Sequence, residues 1–347
     1  MLERRPILGI TMGDAAGVGP EIIVMALHCE NVRSICNPLV IGDCATIEEA
    51  ARIVNLSSRV VVLSDISEAR FERDVIEILD LANIDLGKLT RGTVDHMAGK
   101  AAYEYVKRAT ELALHGKLDA VVTAPLNKEA LNEAGYQYAG HTDMLADLCG
   151  ARDVAMMLVA GKLHVSHVTT HVSLREACDL VKRDRIIRVI DMTHAMLKRL
   201  GIEVPTIAVA GLNPHSGEGG LFGCEEIDEI EPAVKEARRL GYDVIGPVPP
   251  DTVFYRAIKG DEIGKSRFDA VVTMYHDQGH IPIKLLGFFS GVNVTLGLPI
   301  VRTSVDHGTV FGKAGKGTAN PASLIEAIKL ASQIASSSAL RRVTTAT

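Results

Sequence analysis

Tryptophan is absent from this 347-residue chain, and seven Phe and seven Tyr bring the aromatic share to only 4%. So thin a supply of flat rings argues against the stacked-base platforms of single-strand nucleic-acid binders. Positive charge is short as well: 37 Lys and Arg against 43 Asp and Glu leave a formal net charge of -6. Non-specific nucleic-acid affinity rests on cations that neutralise phosphates, so a backbone binder is disfavoured. No apolar run approaches the roughly 18 residues of a membrane helix, and Met1-Leu2-Glu3-Arg4-Arg5-Pro6 lacks the apolar stretch of a secretory signal. The six cysteines contain no Cys-x-x-Cys pair, which suggests neither a zinc ribbon nor a disulfide framework. Also missing are G-x-G-x-x-G and the Walker pattern G-x-x-x-x-G-K-[ST]. The expectation is a reduced, cytoplasmic enzyme acting on a small molecule, with no nucleic-acid or membrane partner.

What is present is an α/β pattern. Short β-branched runs alternate with segments of helical period, the signature of βαβ units and a largely parallel sheet. Strands are predicted at 6–11, 38–41, 60–63, 120–123, 155–159, 164–170, 206–209 and 270–273. Helices are predicted at 21–29, 46–54, 99–115, 128–134, 183–200, 227–240 and 322–335. Asn320 is placed to cap the last helix, and Pro321 fits its first turn. Gly-rich turns near 135–140 and 291–299 suggest two chain crossings. These divide the chain into a terminal α/β domain, 1–134 with 297–347, and a central α/β domain, 135–296.

Three histidines carry the chemical signal. His171, in Thr169-Thr170-His171, His215, in Asn213-Pro214-His215-Ser216-Gly217, and His276, in Tyr275-His276-Asp277-Gln278-Gly279-His280, each follow a short β-rich run. Strand ends of an α/β protein converge on one rim, where three neutral imidazoles make an open site for a divalent metal. Taken singly, each is more commonly a locally satisfied polar residue. His164 and His167, earlier along the strand of His171, are read as structural. Lys284 and Arg302 are candidate anion ligands, Arg for a bidentate grip and Lys as a point charge or a base. Gly140-His141-Thr142-Asp143 adds a Gly-led turn able to open a helix. The Gly-rich start, Gly13-Asp14-Ala15-Ala16-Gly17-Val18-Gly19-Pro20-Glu21, is either an anion cradle of backbone N–H groups or a tight strand-to-helix turn.

Read in order, these segments are familiar. Together with Thr123-Ala124-Pro125-Leu126-Asn127-Lys128, Pro250-Asp251-Thr252, Gly291-Val292-Asn293-Val294-Thr295 and Arg302-Thr303-Ser304-Val305-Asp306-His307-Gly308-Thr309, they resemble the 4-hydroxythreonine-4-phosphate dehydrogenase family over nearly the whole chain. The wording Thr11-Met12-Gly13-Asp14 and His280-Ile281-Pro282-Ile283-Lys284-Leu285-Leu286-Gly287-Phe288 is most similar to the D-threonate (D-erythronate) 4-phosphate dehydrogenase branch. Ala15 stands where both branches usually carry Pro.

The resemblance implies a fold like the isocitrate and isopropylmalate dehydrogenases, two α/β domains with a cleft between them, and a homodimer with shared active sites. It maps metal ligands onto His171, His215 and His276, for Zn, Mg, Mn, Co or Ni. Substrate contacts map onto His141, Thr142, Lys284, Asn293 and Arg302, and Asp251 lies close to the reacting hydroxyl. NAD falls near Asp306, His307, Gly308 and Thr309. Lys284 is the first candidate for proton transfer and Asp251 the second. The implied activity is oxidation of the C3 hydroxyl of 4-phospho-D-threonate or 4-phospho-D-erythronate, then decarboxylation to dihydroxyacetone phosphate. The alternatives are 4-hydroxythreonine 4-phosphate as substrate, in vitamin B6 synthesis, a carboxylated aromatic dihydrodiol, or a non-catalytic phosphate-ester binding protein.

Overall fold

The computed structural model describes residues 4–260 and 268–344. The chain divides into two compact units, Met1–Val154 with Leu298–Thr347, and Ala155–Gly297. The chain passes between the units at 154/155, where the turns near 135–140 suggest 134/135, and at 297/298, so the helix His141–Cys149 belongs to the terminal unit.

The sheet of the terminal unit runs in the order Arg59–Leu63, Val75–Asp80, Asn37–Gly42, Ile7–Thr11, Ala120–Thr123 and Arg302–Val305, with every pairing parallel. Its central strands Ile7–Thr11 and Ala120–Thr123 are near-continuous apolar runs, as in a parallel sheet buried on both faces. The outermost strand, Arg59–Leu63, leaves Val62 53% exposed, as an edge does. The long helix His96–Leu114 is capped by Asp95, whose carboxylate accepts from the amides of Met97 and Ala98. It buries Ala98, Ala101, Ala102, Tyr105 and Ala109 at helical spacing.

Gly99 lets that helix meet Lys128–Glu133, since a Cβ at Gly99 would stand 2.1 Å from the carbonyl oxygen of Ala130. Gly to Ala inside a helix is ordinarily stabilising, but here backbone would have to move. Overpacking of this kind costs about 1–3 kcal/mol, so Gly99→Ala is expected to lower the thermal midpoint by several degrees. An unchanged or raised midpoint in a melting scan would refute the contact argument.

The last helix, Ala322–Thr344, begins where expected, with Asn320 Oδ1 accepting from the amide of Ala322 at 2.9 Å. It runs past 335 because neither Gly nor Pro interrupts 322–344.

The central unit departs from the largely parallel expectation. Its order is Val292–Leu296, Ala155–Ala160, Leu163–His167, Ala270–Thr273, Thr206–Ala210 and Asp243–Val248. The first two pairings are antiparallel and the remainder parallel. The cause is local: Ala160 pairs with Leu163 across Gly161 and Lys162, and a two-residue link can only reverse the chain. Gly161 supplies the positive φ of 58° that the turn needs. The strand that leaves this turn ends at His167 and not at Thr170.

Four strands do not follow from the β-branched pattern. Val75–Asp80 carries the buried Glu77, whose side chain accepts from the amides of Arg70 and Phe71. Asp243–Val248 contains Gly246-Pro247 and is tolerated as an outer strand. The others are the short Val292–Leu296 and Arg302–Val305.

Candidate active site

In the terminal unit, Arg302 opens the strand Arg302–Val305 and is only 2% exposed. Its Nη2 donates to the hydroxyl of Thr123 at 2.7 Å on the adjacent strand. Burial pushes its pKa down to about 9, which leaves it cationic at neutral pH. His141 is the first residue of the helix His141–Cys149, and its Nε2 is buried without a hydrogen-bond partner. Desolvation, then the charges of Arg302 and Lys128, hold this imidazole well below its ordinary pKa, so it is neutral. Lys128 is placed by a short helix that Asn127 caps through the amide of Ala130. Its Cε lies 3.6 Å from where a Cβ on Gly140 would be. Two cations, a hydroxyl and a neutral imidazole are groups suited to binding an anionic oxygen group. Lys128 and Thr123 were not singled out from sequence, although both belong to the string 123–128.

In the central unit the histidines gather at the ends of two adjacent strands. Beyond His167 the chain stays beside Thr273, with the amides of Val168 and Thr169 donating to the carbonyls of Thr273 and Met274 at 2.8 and 3.2 Å. This brings His171 next to His276, the first residue of the helix His276–Gly287. Gln278 fixes the junction, accepting from the amide of Met274 and donating to the carbonyl of Gly211. The ring centres of His171 and His276 are 5.6 Å apart. Two imidazoles on one tetrahedral cation, each bound at about 2.0–2.1 Å, have ring centres about 5 Å apart. Asp277 holds Nδ1 of His276 at 2.6 Å, an arrangement that would direct Nε2 toward a cation.

Behind this pair lie His167, read from sequence as structural, and His280, given no role there. His280 stacks on His276 with centroids 3.5 Å apart, and the buried His167 tilts against His280 at 4.8 Å. Desolvation pushes His167 down to about 3, so this ring is neutral. Its Nε2 has no partner, and Gly279 allows the approach, since a Cβ there would stand 2.4 Å from that nitrogen. Helical spacing was the available signal: His276, His280 and Lys284 recur every four residues on one helix face.

His215 sits in the turn Pro214–Gly220 that follows the strand Thr206–Ala210. His215, Ser216, Gly217, Glu218 and Gly219 all have positive φ, a run that L-residues adopt only at a cost of about 1–2 kcal/mol each. Buried Glu226 holds the turn, accepting from the amides of Leu212 and Asn213 and from the side chain of Asn213. Such strain concentrates at functional sites. Among the described residues no three His, Cys, Asp or Glu side chains are grouped to hold a metal, so His171 and His276 are brought together and His215 is not grouped with them. Asn293 lies on the strand Val292–Leu296 with its Oδ1 buried and unpartnered. Asp251 is exposed in the turn after the strand Asp243–Val248.

The segment 306–309 follows the strand Arg302–Val305. The amide of Asp306 donates to the hydroxyl of Ser323, and Nδ1 of His307 lies 2.9 Å from the carbonyl of Gly308. Gly308 is exposed, with open space where a Cβ would be. A carboxylate, an imidazole and accessible backbone suit the hydroxyls and phosphates of a dinucleotide.

The Gly-rich start is not an anion cradle. Its amides are consumed internally: Asp14 donates to Pro125, Ala16 and Gly17 to Asp14, and Val18 to Thr309. Every residue from Gly13 to Glu21 is buried. Gly13 serves the tight turn at φ 71°, where a Cβ would stand 2.3 Å from the carbonyl oxygen of Pro125. Burial, with Asp95 adding repulsion, raises Asp14 to about 6. A carboxyl whose folded pKa exceeds its unfolded value near 3.8 is destabilising when ionised. The terminal unit therefore loses stability as pH rises from about 4 through 6, by up to about 3 kcal/mol. Asp14→Asn, which keeps the oxygen that accepts from Ala16, is expected to raise the thermal midpoint at pH 8 and to flatten its pH dependence between 4 and 7. A lower midpoint at pH 8 would show that the ionised form is the stabilising one.

The fold is α/β, with a buried cationic cluster around Arg302 in one unit and an imidazole cluster around His276 in the other. Residues 34–331 match the family model described as pyridoxal phosphate biosynthetic protein PdxA. The chain is 50% identical over 336 residues to a D-threonate 4-phosphate dehydrogenase of Cupriavidus necator, covering 96% of this chain and 99% of that one. Among solved structures, it is similar to a 4-hydroxythreonine-4-phosphate dehydrogenase from Burkholderia phymatum, with TM-score 0.83, 50% identity, and coverage of 95% and 98%. A putative enzyme of the same description from Salmonella typhimurium gives TM-score 0.87 at 48% identity, covering 95% and 100%. The chain belongs to the PdxA family, and with it to the oxidoreductases.

Proposed function

We propose that this protein is an NAD- and divalent-metal-dependent dehydrogenase that oxidises the C3 hydroxyl of 4-phospho-D-threonate or 4-phospho-D-erythronate and releases CO2, leaving dihydroxyacetone phosphate. The observation that carries this reading is the buried Arg302 seated on Thr123 beside Lys128 and neutral His141, a receptor shaped for a phosphate. The named relative from Cupriavidus necator favours a sugar acid over 4-hydroxythreonine 4-phosphate.

When bound, the dinucleotide supplies a hydride acceptor and the cation supplies Lewis acidity at the alcohol oxygen. His171, His215 and His276 would hold the cation, with ligands drawn from both subunits of a homodimer. Arg302, Lys128, Thr123, His141 and Thr142 take the phosphate. The buried Oδ1 of Asn293 accepts from a substrate hydroxyl. Lys284, two turns along the helix from His276, takes the proton of the C3 hydroxyl, and Asp251 is the second candidate. The β-keto acid then loses its carboxylate as CO2, and the electrons left at C2 take up a proton. Asp306, His307, Gly308 and Thr309 border the dinucleotide. Among the described residues no helix is long and apolar enough to cross a membrane, and we place the enzyme in the cytoplasm.

The test is NADH formation with 4-phospho-D-threonate, 4-phospho-D-erythronate and 4-hydroxythreonine 4-phosphate, with and without chelator. Turnover of a sugar acid that chelation abolishes is expected. Turnover of 4-hydroxythreonine 4-phosphate alone would move the substrate to the B6 precursor, and no turnover with any would leave a phosphate-ester binding protein.

A further inference from the structure

The side chain of Glu21 is 2% exposed, yet its two oxygens reach across the sequence to a glycine-rich loop. Oε1 accepts from the amide of Gly315 at 2.6 Å and Oε2 from that of Gly317 at 2.8 Å. The same loop begins with Asp306, His307, Gly308 and Thr309. Its other end is met by the same segment: the amide of Val18 donates to the carbonyl of Thr309 at 3.0 Å, and Gly17 lies so close that a Cβ would stand 2.9 Å from Cβ of Thr309. Gly92 adds a third side. Its amide donates to the carbonyl of Ala16, and a Cβ there would be 3.0 Å from the carbonyl oxygen of Phe311. Gly317, at φ +63°, fits with a Cβ position only 2.8 Å from the carbonyl oxygen of Ile53. A loop with four glycines among residues 308–317 is entropically costly to order, so its conformation depends on such ties.

We infer that Glu21 is a positioning residue for the cofactor loop: by clasping the amides of Gly315 and Gly317 it fixes residues 306–317 in the conformation that receives the dinucleotide. This gives the Gly-rich start a role as a socket for another loop. The inference rests on the reading of 306–309 as the dinucleotide border.

The test is Glu21→Gln in the full-length protein. The substitution keeps the shape but sets an amide NH2 against one glycine N–H, donor facing donor. Hydrogen exchange of the peptide spanning 306–317 is expected to accelerate, while the exchange of strands Ile7–Thr11 and Ala120–Thr123 is unchanged. If the competent loop population falls to about a tenth, the Kd for NADH, read by its own fluorescence, rises about tenfold. At saturating NAD, kcat and the substrate KM are expected to stay within about twofold. Unchanged exchange over 306–317, or equal losses in NADH and substrate affinity, would overturn the assignment. If the unaltered protein binds no NADH, the cofactor reading fails and this role with it, while exchange still decides whether Glu21 ties the loop. Should Glu21→Gln fold poorly, Gly17→Ala displaces Thr309 from the opposite side and is expected to give the same split between NADH and substrate.

Discussion

Arg302→Ala is expected to raise the KM for the phosphorylated substrate by about 10²–10³-fold, while the KM for NAD changes by less than about threefold. The magnitude follows from burial. Removing one partner of a desolvated, hydrogen-bonded charge pair costs about 2–5 kcal/mol, and every 1.4 kcal/mol is about tenfold in affinity. Arg302 is 2% exposed and already tied to Thr123, so its guanidinium is held in place before the anion arrives. Little ordering cost is left for binding. Arg302→Lys is expected to recover only part of the loss, because an ammonium cannot bond Thr123 and grip a phosphate in one planar fork. Thr123→Val, which removes this one tie without removing charge, is expected to cost less than either. Steady-state kinetics with both reactants varied decide the matter. Equal increases in the two KM values would place Arg302 outside the anion receptor.

Loss of a metal ligand is expected to act on turnover instead. His171→Ala and His215→Ala should each strip the divalent metal from the purified protein and lower kcat/KM by about 10³-fold or more, equivalent to roughly 4 kcal/mol of lost stabilisation at the reacting oxygen. His171 is exposed, so its truncation leaves no cavity and the thermal midpoint should hardly move. His215 sits in a turn whose frame is set by Glu226 and Asn213, not by the imidazole. Elemental analysis and kinetics on the same samples give the answer. Full metal retention with near-normal turnover in either variant would remove that histidine from the site.

Much of the scaffold was legible because many of its core strands are short apolar runs, several rich in β-branched residues. Ala120–Thr123 and Ala270–Thr273 fall at the predicted residues. Where a polar residue interrupts a strand for a structural reason, the pattern fails: Glu77 inside Val75–Asp80 is buried to satisfy two loop amides, which local hydrophobicity does not encode. Direction was lost at Gly161-Lys162, where a two-residue link was itself enough to demand a hairpin. The site was legible residue by residue and less so as a geometry. Arg302 and His141 were named, whereas Lys128 beside them was passed over, because spacing along the chain does not report that Gly140 leaves room for its stem. The stack of His280 on His276 was hidden because no helix was predicted after Tyr275, although an i, i+4 pair on a helix faces the same way.

The terminal unit is assembled from two stretches of chain, and the pairing of Thr123 with Arg302 spans 179 residues. A ribosome adding about 5–20 residues per second therefore exposes the open side of Ala120–Thr123 for about 10–35 seconds before its neighbour emerges. During that interval the continuous stretch 155–297 has been synthesised whole and can acquire its structure first. The half-made sheet meanwhile presents unpaired amides and carbonyls to any passing chain. Nascent-chain yield should accordingly depend on how fast translation proceeds between those two strands.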